Sequence, residues 1–113
     1  MTIIQKTFSV LLLCWFFLSQ LMIAHAQVIP QIKIGTPYDK VRTILIKEGW
    51  KPTQQSQESF DFMAQELKER GWFETKFCAG TGRAPCIFIW KNLQGRELEV
   101  VTTGEEPKFN AFR

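Results

Sequence analysis

The sequence predicts an α+β fold: two N-terminal helices packed on an antiparallel meander of three or four strands. Two stretches with helical apolar spacing each end at the dipeptide Gly-Trp, at Gly49–Trp50 and Gly71–Trp72. Beyond Trp72 the composition shifts to aromatic and β-branched runs separated by glycine-bearing turns, as strands require. Helices first and strands after, without alternation, is the order of a two-layer α+β domain rather than a wound parallel sheet.

The chain has 113 residues, a length for one domain, and a formal charge of +3. Its first segment stands apart. Lys6 precedes an apolar run from Phe8 to Ala24, and "AHA" then sets Ala24 and Ala26 as a small-residue cleavage signal. This pattern predicts a cleaved signal peptide over residues 1–26, with Gln27 opening a single mature domain, 27–113. The competing reading is an uncleaved anchor, since the run nearly spans a bilayer; Ser19, Gln20 and the placed alanines favour cleavage. Cys14 lies inside the run, between "LLL" and "WFFL", whereas a lipid-bearing cysteine would follow it. No stable membrane anchor is expected after cleavage, and the destination is periplasmic or secreted.

Removing 26 residues from 113 leaves 87, and the loss of Lys6 takes the charge from +3 to +2. That balance is too weak to point to nucleic acid, which selects a dense basic stripe. The same cut removes His25, the only histidine. Without histidine there is no Ser-His-Asp or Cys-His machinery, and the commonest transition-metal ligand is missing. Neither a metal, a cofactor nor an enzyme activity is expected. Glu97 and Glu99 share one strand face, which a paired-carboxylate hydrolase would need, but they read more simply as its polar side.

Along the mature chain, "QVIPQIKIG" is a lead-in, either a tether or an edge strand. Thr36 then offers an N-cap, Pro37 a first helical position and Asp39 a first-turn carboxylate. Tyr38, Val41, Ile44 and Leu45 recur at helical spacing, Ile46 widens the stripe and Gly49 stops it. "KPTQQSQ" reads as a polar connection. A second helix is expected from Ser56 or Ser59 to Arg70, with Phe60, Met63, Ala64 and Leu67 on its apolar side. Strands follow at "WFETKFCA", "APCIFIWKN" and "RELEVVTTG", with Gly95 in a hairpin position that needs positive φ, and "KFNAFR" offers a fourth.

The loop "CAGTGRAPC" raises the sharpest chemical question. Two cysteines are half a zinc site at best, and seven intervening residues are too many for a redox Cys-x-x-Cys pair. "GTG" has too few glycines for a dinucleotide loop. An even pair in an oxidising compartment reads first as a disulfide, Cys78–Cys86, with Gly80 and Gly82 permitting the turn and Pro85 stiffening its return. Closing so short a ring stabilises by about 2–3 kcal/mol on the chain-entropy model.

The strand after the loop is apolar on both sides. In "CIFIWK", Cys86, Phe88 and Trp90 point one way and Ile87 and Ile89 the other. Helices cover one sheet face only, so the second face needs a tail, another subunit or a partner, or stays a greasy patch. The candidate contact residues are Arg83, Ile87, Ile89 and Trp90. The function this supports is protein binding; a homodimer using the same face, or an enzyme of unknown type, are the alternatives.

"IKIGTPYDKVRTILIKEGWKP", "CAGTGRAPCIFIW" and "GRELEVVTTG" together resemble a group of small bacterial exported proteins. These carry a G-x-x-Y-x-x-x-R-x-x-L helix, a Gly-Trp stop, a C-x-G-T-G-x-x-x-C loop and a last strand ending T-x-G. The matching positions are Gly35, Tyr38, Arg42, Leu45, Gly49 and Trp50, then Cys78, Gly80 to Gly82, Cys86, Thr102 and Gly104. The element order is also similar to β-lactamase-inhibitor-like and outer-membrane-assembly-lipoprotein folds, though this chain lacks the lipid-bearing cysteine of the latter. The resemblance implies an exported location and a binding role, and no activity.

Overall fold

In the computed structural model, which describes residues 28–56 and 61–113, the chain forms two helices and one antiparallel sheet of five strands. The order is α1 (Tyr38–Lys47), β1 (Lys51–Pro52), α2 (Phe62–Glu69), β2 (Thr75–Cys78), β3 (Cys86–Lys91), β4 (Glu97–Thr103) and β5 (Lys108–Phe112). The α+β class holds, with one addition: the first residues of the expected polar connection form β1. The expected cleavage site at Ala26 and Gln27, and Ser59 and Phe60 near the start of the second helix, lie outside the described residues. Among those described, no helix is long and apolar enough to cross a membrane.

Both helices stop by one device. Gly49 and Gly71 take φ of 93° and 100°, conformations open to glycine at little cost. In α1 the Gly49 and Trp50 amides donate back to the Ile46 and Leu45 carbonyls; in α2 those of Gly71 and Trp72 donate to Lys68 and Leu67. These are paired Schellman closures, with a leucine three residues from the end and a tryptophan just beyond it. Leu45, Trp50 and Leu67 are buried, and Trp72 packs against the same core.

The helix starts differ from expectation. Thr36 does not cap α1: its hydroxyl donates to the Lys33 carbonyl at 2.6 Å. The Tyr38 amide instead donates to the Pro107 carbonyl at 3.0 Å, so the start of α1 is fixed from the turn before β5. Asp61 caps α2, its Oδ1 accepting from the Ala64 amide at 3.1 Å. Ile46 lies outside the apolar stripe and is exposed, leaving Tyr38, Val41 and Leu45 as the buried face of α1.

In the sheet β3 pairs with β4 and β4 with β5, while β1 and β2 lie end to end along the other edge of β3. The junction falls at Ile89, whose amide donates to the Glu74 carbonyl and whose carbonyl accepts from the Thr53 amide. At the far edge the lead-in ends against β5: the Gly35 amide donates to the Phe109 carbonyl and the Phe109 amide to that of Thr36. "KFNAFR" thus supplies a strand, and the lead-in closes its outer side for one bridge without becoming a strand itself.

The core lies between helices and sheet. Its strand side is set by register: Cys86 faces Thr102, Phe88 faces Val100 and Trp90 faces Leu98 across β3–β4. From the helix side come Tyr38, Val41, Leu45, Ala64 and Leu67. Tyr38 stacks on Phe88 with ring centroids 3.7 Å apart, and Trp72 meets Tyr38 edge-on at 5.0 Å. Burying aromatics of this size is how a domain this small excludes enough apolar surface from water.

Candidate functional site

The cysteine loop is a staple across one hairpin. Cys78 and Cys86 are direct cross-strand partners and are disulfide-bonded, with Cα atoms 4.1 Å apart. Both are buried. The Cys78 amide, on the strand edge away from β3, donates to Asp61 Oδ2 at 2.7 Å. Asp61 therefore joins the start of α2 to the staple with one carboxylate. Inside the loop the left-handed positions are Gly82, at φ 66°, and Ala84, at φ 49°, rather than Gly80. The Gly104 amide donates to the Arg83 carbonyl at 2.8 Å, which holds the loop tip against the end of β4 while Arg83 stays exposed.

A polar network runs through the core beneath. Glu74 is fully buried and carries a carboxylate. Tyr38 donates its hydroxyl to Oε1 at 2.9 Å, and Arg42 donates Nε to the same oxygen at 2.6 Å. Trp90 in turn donates Nε1 to the Tyr38 oxygen at 3.1 Å, and the Arg42 guanidinium lies 5.9 Å from the Trp90 ring centre. Burial pushes the Tyr38 phenol well above its ordinary value, and the negative charge of Glu74 adds to the effect. Tyr38 and Arg42, four apart on α1, thus reach one carboxylate outside the helix.

The face of the sheet away from the helices holds the candidate binding surface. Phe77 pairs with Ile87, Ile87 with Val101 and Val101 with Ala111, which makes one apolar row across β2, β3, β4 and β5. Two bulges create it. Lys76 is an extra residue in β2 and Asn110 in β5, and each turns the next residue to the open side while Thr75 and Phe109 stay on the core side. Ile87, Val101 and Ala111 are half-buried and Phe77 is 51% exposed. At the β2 end a cleft of about 600 Å³ opens beside Met63, the staple and Phe62, which is 79% exposed.

The sequence-based candidates divide on this surface. Arg83 is exposed at the loop tip and Ile87 stands in the row. Trp90 belongs to the opposite face, with no exposed surface, so its place among the contact residues is corrected. Ile89 is on the open side but buried, at the point where β1 and β2 meet, and is corrected likewise. Phe77 and Ala111 were not legible as partners of Ile87, because alternation through an unbulged strand would have aimed Phe77 with Thr75 and Ala111 with Phe109; Val101 follows from the plain alternation of β4.

The chain matches no protein-family model, no curated protein and no solved structure. Its chemistry rests on its own residues. Among the described residues no three His, Cys, Asp or Glu side chains converge in an arrangement that holds a metal ion. The buried carboxylate of Glu74 is enclosed by its partners and opens onto none of the clefts at Phe62, Trp50 or Pro107.

Proposed function

We propose that the chain is an exported, non-catalytic binding domain that holds a protein partner against the open face of its sheet. The contact set is Phe77, Ile87, Val101 and Ala111, with Arg83 at the rim. The observation that carries this reading is the apolar row in direct cross-strand register on a face the helices do not cover. An apolar centre bordered by charge is the make-up of a protein interface. The cleft beside Phe62 and Phe77 adds a recess suited to one anchoring side chain of the partner. The disulfide supports an oxidising compartment, and the leader at residues 1–26 supports export to the periplasm or beyond it.

Self-association through the same face is the second reading. One observation favours it: the border of the row carries both signs, with Lys91 and Arg113 against Glu97 and Glu99, so two copies related by a two-fold axis are mutually complementary. Crosslinking in the native compartment, with wild type beside Ile87→Asp and Val101→Asp, tests the first reading. The expected result is a crosslinked heterologous protein lost in both variants, from a domain that sediments as a monomer. Unchanged crosslinks in both variants sink the proposal, and a wild-type dimer that dissociates in Ile87→Asp replaces it with the second.

A further inference from the structure

The end of the sheet that carries the β3–β4 turn gathers exposed apolar side chains that neither the core nor the open row uses. Leu93, in the turn, is 75% exposed, and Val28 and Ile29 of the lead-in are 69% and 46% exposed. The fold brings them to one place. The Asn92 amide donates to the Arg96 carbonyl and the Gly95 amide to the Asn92 carbonyl, both at 3.0 Å, which closes the turn with Leu93 in solvent. Trp50, fixed by the closure of α1, donates Nε1 to the Val28 carbonyl at 3.5 Å. Ile29 lines one cleft together with Asn92 and Arg96.

The balance of charge at this end is positive. Lys51 and Lys91 are direct cross-strand partners, and Lys91 lies 3.9 Å from Glu97, which it offsets. Lys47 and Glu48, at the close of α1, cancel. Arg113 and Glu99 pair on the open face and are balanced in themselves. Lys51 and Arg96 remain, both exposed and, among the described residues, without an ion-pair partner.

The path of the chain says what this end meets. Val28 follows the apolar run Phe8–Ala24 by four residue steps, at most about 14 Å of fully extended chain. A run of that length and composition partitions into a bilayer. While it is there, the tie between Val28 and Trp50 keeps the turn end of the domain within that reach of the lipid headgroups. Aliphatic side chains beside unpaired cations suit an anionic lipid interface, which takes up the first and attracts the second.

We propose that the β3–β4 turn end is a peripheral contact surface for an anionic lipid bilayer, with Leu93, Val28 and Ile29 among the headgroups and Lys51 and Arg96 on their phosphates. The proposal rests on the export half of the reading above and not on the partner of the open face, since Ile87 stands at the other end of β3 from the turn. The contact is an encounter rather than an anchor, weak and reversible once the leader is gone.

Co-sedimentation of the exported, disulfide-intact protein with vesicles of phosphatidylglycerol and phosphatidylcholine in equal parts tests it, beside vesicles of phosphatidylcholine alone. Binding to the mixed vesicles is expected at low salt and millimolar lipid, at least about tenfold above the neutral ones. It is expected to be lost at about 0.5 M salt, where screening is strong. Lys51→Gln and Arg96→Gln are each expected to weaken it about fivefold, and Leu93→Ser by about the same factor. None of the three is expected to move the melting temperature, because these side chains are exposed. Ile87→Asp is expected to leave the binding unchanged. Intact mass of the same sample reports removal of the leader, so failure of the export reading is seen apart from failure of the contact. Equal binding to neutral vesicles, indifference to salt or to the double Lys51→Gln, Arg96→Gln variant, loss in Ile87→Asp, or no binding to the mixed vesicles would each overturn the assignment. A dimer or a crosslinked protein lost in Leu93→Ser would overturn it too, and give the surface to that occupant.

Discussion

Arg42 on α1 and Glu74 just before β2 form an ion pair, Nε to Oε1 at 2.6 Å, in which the carboxylate is fully buried and the guanidinium reaches partly into solvent. The pair ties the first helix to a segment 32 residues later. It also settles which way α1 is rotated, because Tyr38 and Arg42 must both face the same oxygen. Replacing Arg42 by alanine leaves a buried charge with a phenol as its remaining side-chain partner. Denaturant unfolding of Arg42→Ala is expected to show a loss of about 2–4 kcal/mol, and Glu74→Gln a smaller loss because the amide still accepts from Tyr38.

The same network predicts a fall in stability in alkali. In the unfolded chain Tyr38 titrates near its ordinary value of about 10, and in the folded domain it titrates well above it. Between these two values the folded state holds the proton that the unfolded state has released, so stability falls as pH rises above about 10. The contribution is fully present below that pH. Tyr38 is the only tyrosine in the chain, so absorbance at 295 nm reports it alone. The phenolate signal is expected to rise together with unfolding; titration near 10 in the folded protein would contradict the burial.

The staple makes a separate prediction. Replacing Cys78 and Cys86 by alanine together is expected to cost about 2–3 kcal/mol, from the freedom restored to the unfolded chain. Because both sulfurs are buried, reduction of the folded protein is expected to be slow in mild reductant and to accelerate with denaturant. Intact mass before and after alkylation measures both states, and two free thiols in protein recovered from an oxidising compartment would contradict the bond.

Ala84 is the one described non-glycine residue with positive φ, at 49°. A Cβ in that conformation costs about 1 kcal/mol. Ala84→Gly removes the clash, and is expected to raise the thermal midpoint with the disulfide intact. A lowered midpoint would show that the methyl group packs usefully.

Asp61 accepts from two amides that belong to different elements, Ala64 in α2 and Cys78 in β2. Asp61→Ala is expected to cost about 1–2 kcal/mol, the range for losing an N-cap together with a charged hydrogen bond. Asp61→Asn keeps one acceptor and is expected to lose less. Amide exchange at Cys78 distinguishes them: in Asp61→Ala the Cys78 amide is expected to exchange faster, even where the remaining strand amides do not.

Much of the architecture was legible because local signals agreed with one another. The Gly-Trp stops, the hairpin at Gly95 and the cysteine parity each follow from backbone conformation or compartment, and each corresponds to a feature of the fold. The α1 cap failed because a tertiary carbonyl, Pro107, took the place of Thr36, and no local rule reports a partner 69 positions away. Glu74 was passed over because an acidic residue in "WFETKF" reads as the wet side of a strand; Tyr38 and Arg42 on one helix face were the signal that a carboxylate was needed. The open row escaped because it depends on bulges at Lys76 and Asn110, and alternation is blind to an inserted residue. Alternation separates Trp90 from Ile87 and Ile89 but does not tell which of two apolar sides the helices cover, and it is the Trp90 side that lies under them.

Placing β1 and β2 end to end along β3 has a consequence for how the protein behaves when crowded. A neighbouring chain extends a sheet by zipping along a straight, uninterrupted border. Here that border is broken into pieces of two and four residues, the longer one kinked at Lys76 and with its Cys78 amide already taken by Asp61. The opposite border is occupied at Phe109 by Gly35 and Thr36. Neither side offers a template long enough to seed a fibre. A domain that displays an apolar stripe on its flat surface is thereby kept from polymerising through its rims.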